Sequence, residues 1–399
     1  MSRSVDPAAP PDFPPTPEAA LARLKAVRPA DYARTRNHLE GAVTWLSPYI
    51  THGLLTVPQV VQALQERHAL PRDHKLLQEL AWREFFHHAW GHDGDGIFQS
   101  LHPGPRPDGD YARQVPADLR EACTGVPVID EAVRTLYATG TLHNHARLWL
   151  ASYTVHLRKV HWRPAADWLY AHLLDGDLGS NHLSWQWVSG TGSHKPYLFD
   201  NGNVERWAPA EWHSRGTLVD HPFEKLEALA HTARRSGPEP GAWPATPEPV
   251  LHRSPPLDLP PAHAFTAPDP AVVAGRDVWL LHPWALGELP AAVREARDRG
   301  DTVVVAVADA AFFTRWAWNA RRWQWVAARL AALTPHRWWG PGEAWRAALG
   351  RARSVQGVHN LHLGPAFAPL ALSPRPRQWA DPPRRCRSFS AYWGAVSGG

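Results

Sequence analysis

The chain has 399 residues, of which 44% are apolar and 20% charged, and its formal net charge is +4. That length admits two or three domains and a sizeable core, and rules out a mini-protein. No apolar run approaches the roughly 18 to 20 residues of a bilayer span, and the two cysteines, Cys123 and Cys386, are too few for a disulfide framework, a four-cysteine zinc site or a four-cysteine iron–sulfur cluster.

The opening MSRSVDPAAPPDFPPTP has neither an apolar h-region nor a small-residue cleavage pattern. Residues 1–15 are therefore read as a disordered tail, and the expected compartment is cytoplasmic. From residue 16 to residue 235 apolar residues recur at three and four positions, which predicts an all-helical domain. Within LLQELAWREFFHHAW, Glu79, Trp82 and Arg83 are spaced i, i+3, i+4 and share a helix face. A carboxylate, an indole and a guanidinium side by side suit a stacked base and a phosphate or amide edge; a surface ion pair beside a core tryptophan gives the same pattern.

A well-punctuated helix follows, starting at Thr124-Gly-Val-Pro127 with Asp130 and Glu131 near its positive end and stopping at Gly140. Next, TGTLHNHARLWL carries Asn144, Arg147 and Leu148, flanked by His143 and His145. Two histidines two positions apart point to different sides of a helix, so no metal site is expected. In LLDGDLGSNHLSWQW, Asp177, Asn181 and Trp185 recur every four residues and form one stripe, with Asp175 and Asp177 flanking Gly176. Such acids can cap a helix, bind a metal or accept hydrogen bonds from a ligand, and a stripe of acid, amide and indole suits a polar ring such as a flavin.

Residues 236–274 are dense in proline, which fixes φ and lacks a donor, so a linker is expected. The periodicity then changes. Residues 278–282 and 302–308 read as strands around a helix at 289–299, followed by a helix at 319–333, a strand at 337–340, a helix at 343–351 and a strand at 358–363. This alternation predicts a small parallel α/β domain over residues 275–370, Rossmann-like in layout but without a glycine-rich dinucleotide fingerprint. Residues 371–399 read as an irregular basic, aromatic tail. An isoelectric point near 9.2 and 24 histidines admit nucleic acid as a partner, and the 22 tryptophans suit both base stacking and electron relay.

Four segments in series, TWLSPYITHGLL, LLQELAWREFF, TGVPVIDEAVRTLYATGTLHNHARLWLASYTV and HWRPAADWLYAHLLDGDLGSNHLSWQWVSGTG, resemble the FAD-binding helical domain of the DNA photolyase and cryptochrome family over about 200 residues. The resemblance implies FAD as cofactor, with Tyr32, Thr44, Trp45, Leu46 and Ser47 embracing it and Arg147, Asp175, Asp177 and Asn181 at its ring and ribitol. It implies a pyrimidine-dimer pocket formed by Glu79, Trp82, Arg83, Asn144 and Trp187, and a relay through Trp185 and Trp162. Asn181 is the photolyase-like residue beside the flavin. The implied activity is that of a deoxyribodipyrimidine photo-lyase: reduced, excited FAD gives an electron to a cyclobutane pyrimidine dimer in DNA, the ring splits, and the electron returns. A cryptochrome-like blue-light photoreceptor without repair activity is the alternative.

Several positions depart from the family pattern. Leu76 and Leu148 stand where dimer-splitting enzymes usually have Trp and Met, His145 replaces a DNA-facing Arg, and Val43 and Trp45 alter the first motif. The outermost relay tryptophan is missing, with Gly109 near its place and Tyr111 as a substitute, and the loop after Trp187 is short. The α/β unit follows the helical domain instead of leading it, which suggests either a permuted antenna domain or an unrelated fold, and leaves a second antenna chromophore open. A monomer acting on damaged DNA, without membrane or metal, is the expected form.

Overall fold

The computed structural model describes residues 12–233 and 257–398. Its first half is helical, and the order of elements follows the punctuation in the sequence. In the Pro127–Thr139 helix, Asp130 accepts hydrogen bonds from the Thr124 and Gly125 amides and from the Thr124 hydroxyl, which fixes the entering turn. The helix stops at Gly140, whose φ of 72° is a left-handed value that glycine adopts without strain. Gly140 also accepts from the Leu174 amide at 2.6 Å, so this cap docks onto the chain just before Asp175.

The Trp162–His172 and Leu178–Ser189 helices pack together, and the Lys75–Asp93 helix lies against the second of them. Between the two, Gly176 has no room for a side chain, because an added Cβ would meet the Tyr170 carbonyl oxygen at 2.8 Å and the Leu173 carbonyl oxygen at 3.1 Å. A tight turn there sets Asp175 and Asp177 close together.

The second half holds four parallel strands in the spatial order His336–Gly340, Thr302–Asp309, Asp277–Leu281, Ser354–Gly357. Thr302–Asp309 is buried along nearly its whole length, as a strand covered on both faces requires. This is the expected helical plus parallel α/β class. The two halves share a large apolar core that includes Tyr49, Trp284, Trp318 and Trp323, so the sheet unit is packed on the helices and not merely tethered to them.

Four expectations change. Residues 12–15 were assigned to the tail, yet Phe13 is buried and its carbonyl accepts from Trp325 Nε1 at 2.6 Å; residues 1–11 lie outside the described residues. Within the linker assignment, residues 236–256 lie outside the described residues, but 257–274 pack: Leu257–Asp258 pairs with Trp318–Asn319, and Phe265 and Val273 are buried. Proline stopped regular pairing there without removing the apolar anchors. The last strand is Ser354–Gly357, earlier than expected at 358–363, because those later residues form the turn that carries Asn360 and His362 inward. Finally, the supposedly irregular tail contains a helix, Phe389–Ser397, started by the Ser388 side chain accepting from the Ala391 amide. Among the described residues no helix is long and apolar enough to cross a membrane.

Candidate flavin and substrate cavity

The helices enclose a cavity of about 330 Å³. Its charged lining includes Arg147, Asp175 and Asp177, and Asn181, Ser47, Thr44, Tyr32 and Trp45 line it as well. The Lys75–Asp93 helix supplies Glu79, Trp82, Arg83 and Phe86, and the Asn144–Ser152 helix supplies Asn144 and Leu148. All of these open into the same space.

The charged lining is fixed by paired contacts. Arg147 donates to both carboxylate oxygens of Asp175, at 3.0 and 2.7 Å, and Ser47 Oγ donates to the same group. Asp177 caps the Leu178–Ser189 helix by accepting from the Ser180 amide at 2.8 Å. Its other oxygen accepts from His87 Nε2 at 2.6 Å and from Arg83 at 3.4 Å. Burial alone would raise the Asp177 carboxyl, but His87 and Arg83 hold it well below the usual carboxylate range. Burial drives His87 down to about 4, so at neutral pH it is an uncharged ring that carries its proton on Nε2 and gives it to Asp177 as a hydrogen bond.

Glu79 lines the cavity and remains exposed to solvent, yet the protein around it raises its carboxyl by desolvation against the opposing pull of Arg36 and Lys75. Burial, with Glu79 adding to it, also pushes the Tyr32 phenol up. Two buried polar atoms on the cavity wall, Ser180 Oγ and Arg83 Nε, have no hydrogen-bond partner. A ligand with donors and acceptors along its edge satisfies such atoms, and an apolar one does not.

Of the residues expected at the site, Tyr32, Thr44, Trp45, Ser47, Glu79, Trp82, Arg83, Asn144, Arg147, Asp175, Asp177, Asn181 and Trp185 line the cavity. Four do not. Leu46 is buried in the core beneath the wall. Trp162 is buried and bonds Ser100 through Nε1; Tyr111, the expected substitute at the end of the relay, is separated from it by His161, with ring centroids 6.2 and 5.7 Å apart in succession. The expected DNA-facing His145 is turned away, its Nδ1 against the Asn37 carbonyl and its ring stacked on Trp149. The expected pocket wall at Trp187 is 43% exposed beside Tyr197 and faces away from this cavity, because two residues along a helix rotate a side chain by about 200° from Trp185.

Sequence reasoning missed the remaining walls, among them Leu142, Ala151, Ser180, Ser184 and Val188. The signal was present. Residues 144, 147, 148 and 151, and residues 177, 181, 184, 185 and 188, are single stripes at helical spacing.

The loop bearing the two aspartates is also held from the sheet half. Buried Arg322 donates to the Gly176 carbonyl at 2.6 Å, His362 Nε2 accepts from the Leu178 amide at 3.1 Å, and His52, a neutral ring with one N–H, lies between the Leu174 and Pro283 carbonyls and donates to one of them. His362 itself is stacked on Trp284 at 4.7 Å.

Residues 76–230 match the family model of the FAD binding domain of DNA photolyase. The chain is 35% identical over 257 residues to a deoxyribodipyrimidine photo-lyase of Synechococcus sp., covering 56% of this chain and 50% of that protein. It is 33% identical over 217 residues to the Streptomyces griseus enzyme of the same name, covering 50% and 46%, and 29% identical over 221 residues to a cryptochrome DASH of Idiomarina loihiensis, covering 49% and 47%. The chain thus spans about half the length of the curated relatives it matches. Over residues 76–230 the helical half, built around this cavity, is similar to the FAD binding domain of DNA photolyase.

Proposed function

We propose that this chain is a light-dependent FAD enzyme that splits cyclobutane pyrimidine dimers in damaged DNA, working as a cytoplasmic monomer. The observation that carries this reading is that one cavity is lined both by Arg147, Asp175 and Asp177 and by Glu79, Trp82 and Asn144. Arg147, Asp175, Asp177 and Asn181 would hold the ring and ribitol of FAD, with Tyr32 and residues 44–47 around the rest, and Ser180 Oγ and Arg83 Nε offer it unspent hydrogen-bonding capacity. When bound, FAD supplies light-driven electron donation and takes the electron back.

The chain's own residues do the positioning. A dimer must leave the base stack, at a cost of a few kcal/mol that is least where pairing is already damaged. Trp82 and Phe86 give it apolar walls and keep water out. Glu79, whose carboxyl is raised by its surroundings, holds a proton above the usual carboxylate range and can donate it as a hydrogen bond to a pyrimidine carbonyl as charge grows there. Trp185 at the wall and Trp162 behind it form the assigned relay.

Blue light on reduced protein with a dimer-containing oligonucleotide tests this. Wild-type protein is expected to restore the pyrimidines, and Glu79→Ala to lose most of that rate while keeping its flavin absorbance. One observation favours the sensor alternative: a face of Trp82 is covered by Phe389, with ring centroids 4.1 Å apart and planes 8° apart. Flavin photochemistry without any restored pyrimidine decides for that alternative.

A further inference from the structure

The tail after residue 375 is clamped to the Lys75–Asp93 helix by buried polar contacts. Glu84, fully buried, accepts from the Gln378 amide at 2.8 Å and the Trp379 amide at 3.3 Å. Arg385 forms a forked pair with Asp93, and the Cys386 amide donates to His88 Nε2, whose Nδ1–H donates to Asp381. Tyr392, also buried, packs on Phe85. The clamp therefore holds the Phe389–Ser397 helix in a fixed place.

That place extends the cavity wall. Phe389 stacks on Trp82, and Trp393 lies 6.1 Å from Phe389 with planes only 12° apart, so three half-buried rings run nearly parallel outward from a residue that lines the cavity. Arg384 and Arg387, in the turn just before this helix, are exposed and form no ion pair with an acidic residue among the described residues. The outermost ring of this run, Trp393, beside unpaired guanidinium groups offers what a single strand needs: a face for a base and charges for its phosphates.

We infer that the tail is a DNA-binding platform, on which a base of the strand flanking the dimer stacks on Trp393 with the strand's phosphates on Arg384 and Arg387. The inference rests on the proposed DNA substrate.

The test is fluorescence anisotropy of the flavin-loaded full chain in the dark, with a labelled single strand carrying one dimer and the same strand undamaged, at several salt concentrations. Trp393→Ala is expected to weaken both complexes about 5- to 10-fold, as loss of one base–ring stack does. Arg384→Ala/Arg387→Ala, which touches only exposed side chains, is expected to lower the slope of log affinity against log salt by about 1.4, the value for two single-strand phosphate contacts. Unchanged affinity and slope in both variants overturn the platform, as does tighter binding by Trp393→Ala, which would make the tail a plug. A wild-type protein that binds both strands equally removes the dimer reading yet leaves the platform standing if the variants still weaken both. Wild-type protein that binds neither strand removes both.

Discussion

Around the cavity, polar donors of the helical half meet the Asp175 and Asp177 carboxylates, whereas Arg322 and His362 of the sheet half meet the backbone of the loop that carries them. Arg147, Arg83 and His87 meet carboxylates; Arg322 and His362 meet main-chain groups. The difference separates two tasks. Groups in the cavity present charge to a ligand, and groups behind it fix where that charge stands. Loss of one member of either set leaves a buried polar partner unsatisfied, which is costly in a low-dielectric interior.

Acid should break this arrangement most strongly. Burial lowers His52 to about 3 and His87, His143, His156, His172 and His282 to about 4. Unfolded, these rings titrate near 6.5, so between about pH 6.5 and 4 the unfolded chain binds more protons than the folded one. Stability is thus full above pH 6.5 and falls as the pH drops, with unfolding taking up about five protons near pH 5. Five of the six lie in the helical half. Thermal unfolding measured at stepped pH is expected to show helical signal lost before the sheet half opens; simultaneous loss at every pH would mean that the two halves unfold as one unit.

Next in size is Asp177→Ala, which strands Arg83 and His87 and is expected to cost about 3–5 kcal/mol with loss of flavin. Arg322→Leu lies outside the cavity, yet it frees the Gly176 carbonyl and is expected to cost about 2–3 kcal/mol and to loosen flavin binding through the loop. The smallest effect expected is that of His362→Ala, about 1–2 kcal/mol, since it removes one acceptor at the Leu178 amide. Denaturant unfolding and flavin retention check all three. Equal flavin affinity in wild type and Arg322→Leu would separate the sheet half from the site.

Much of the helical half was legible because its polar residues sit at helical spacing on motifs that follow in series, so stripe geometry and order reinforce each other. Trp187 and His145 were misplaced because motif position was followed where the period spoke otherwise: each lies off the stripe of its own helix. The sheet elements were legible from β-branched runs. Arg322, His362 and Glu84 were not, because each is a lone buried polar residue whose partner is more than 100 positions away, and nothing local marks it. The tail misled for a related reason: its prolines and arginines describe an irregular basic segment, while the clamp that orders it lies on another helix.

The most direct measurement is the recovery of pyrimidine absorbance when reduced, flavin-loaded protein is illuminated with a dimer-containing strand. The account predicts recovery by wild type and its loss in Glu79→Ala with flavin retained. Flavin bound in both proteins with recovery in neither, or equal recovery in both, would contradict it.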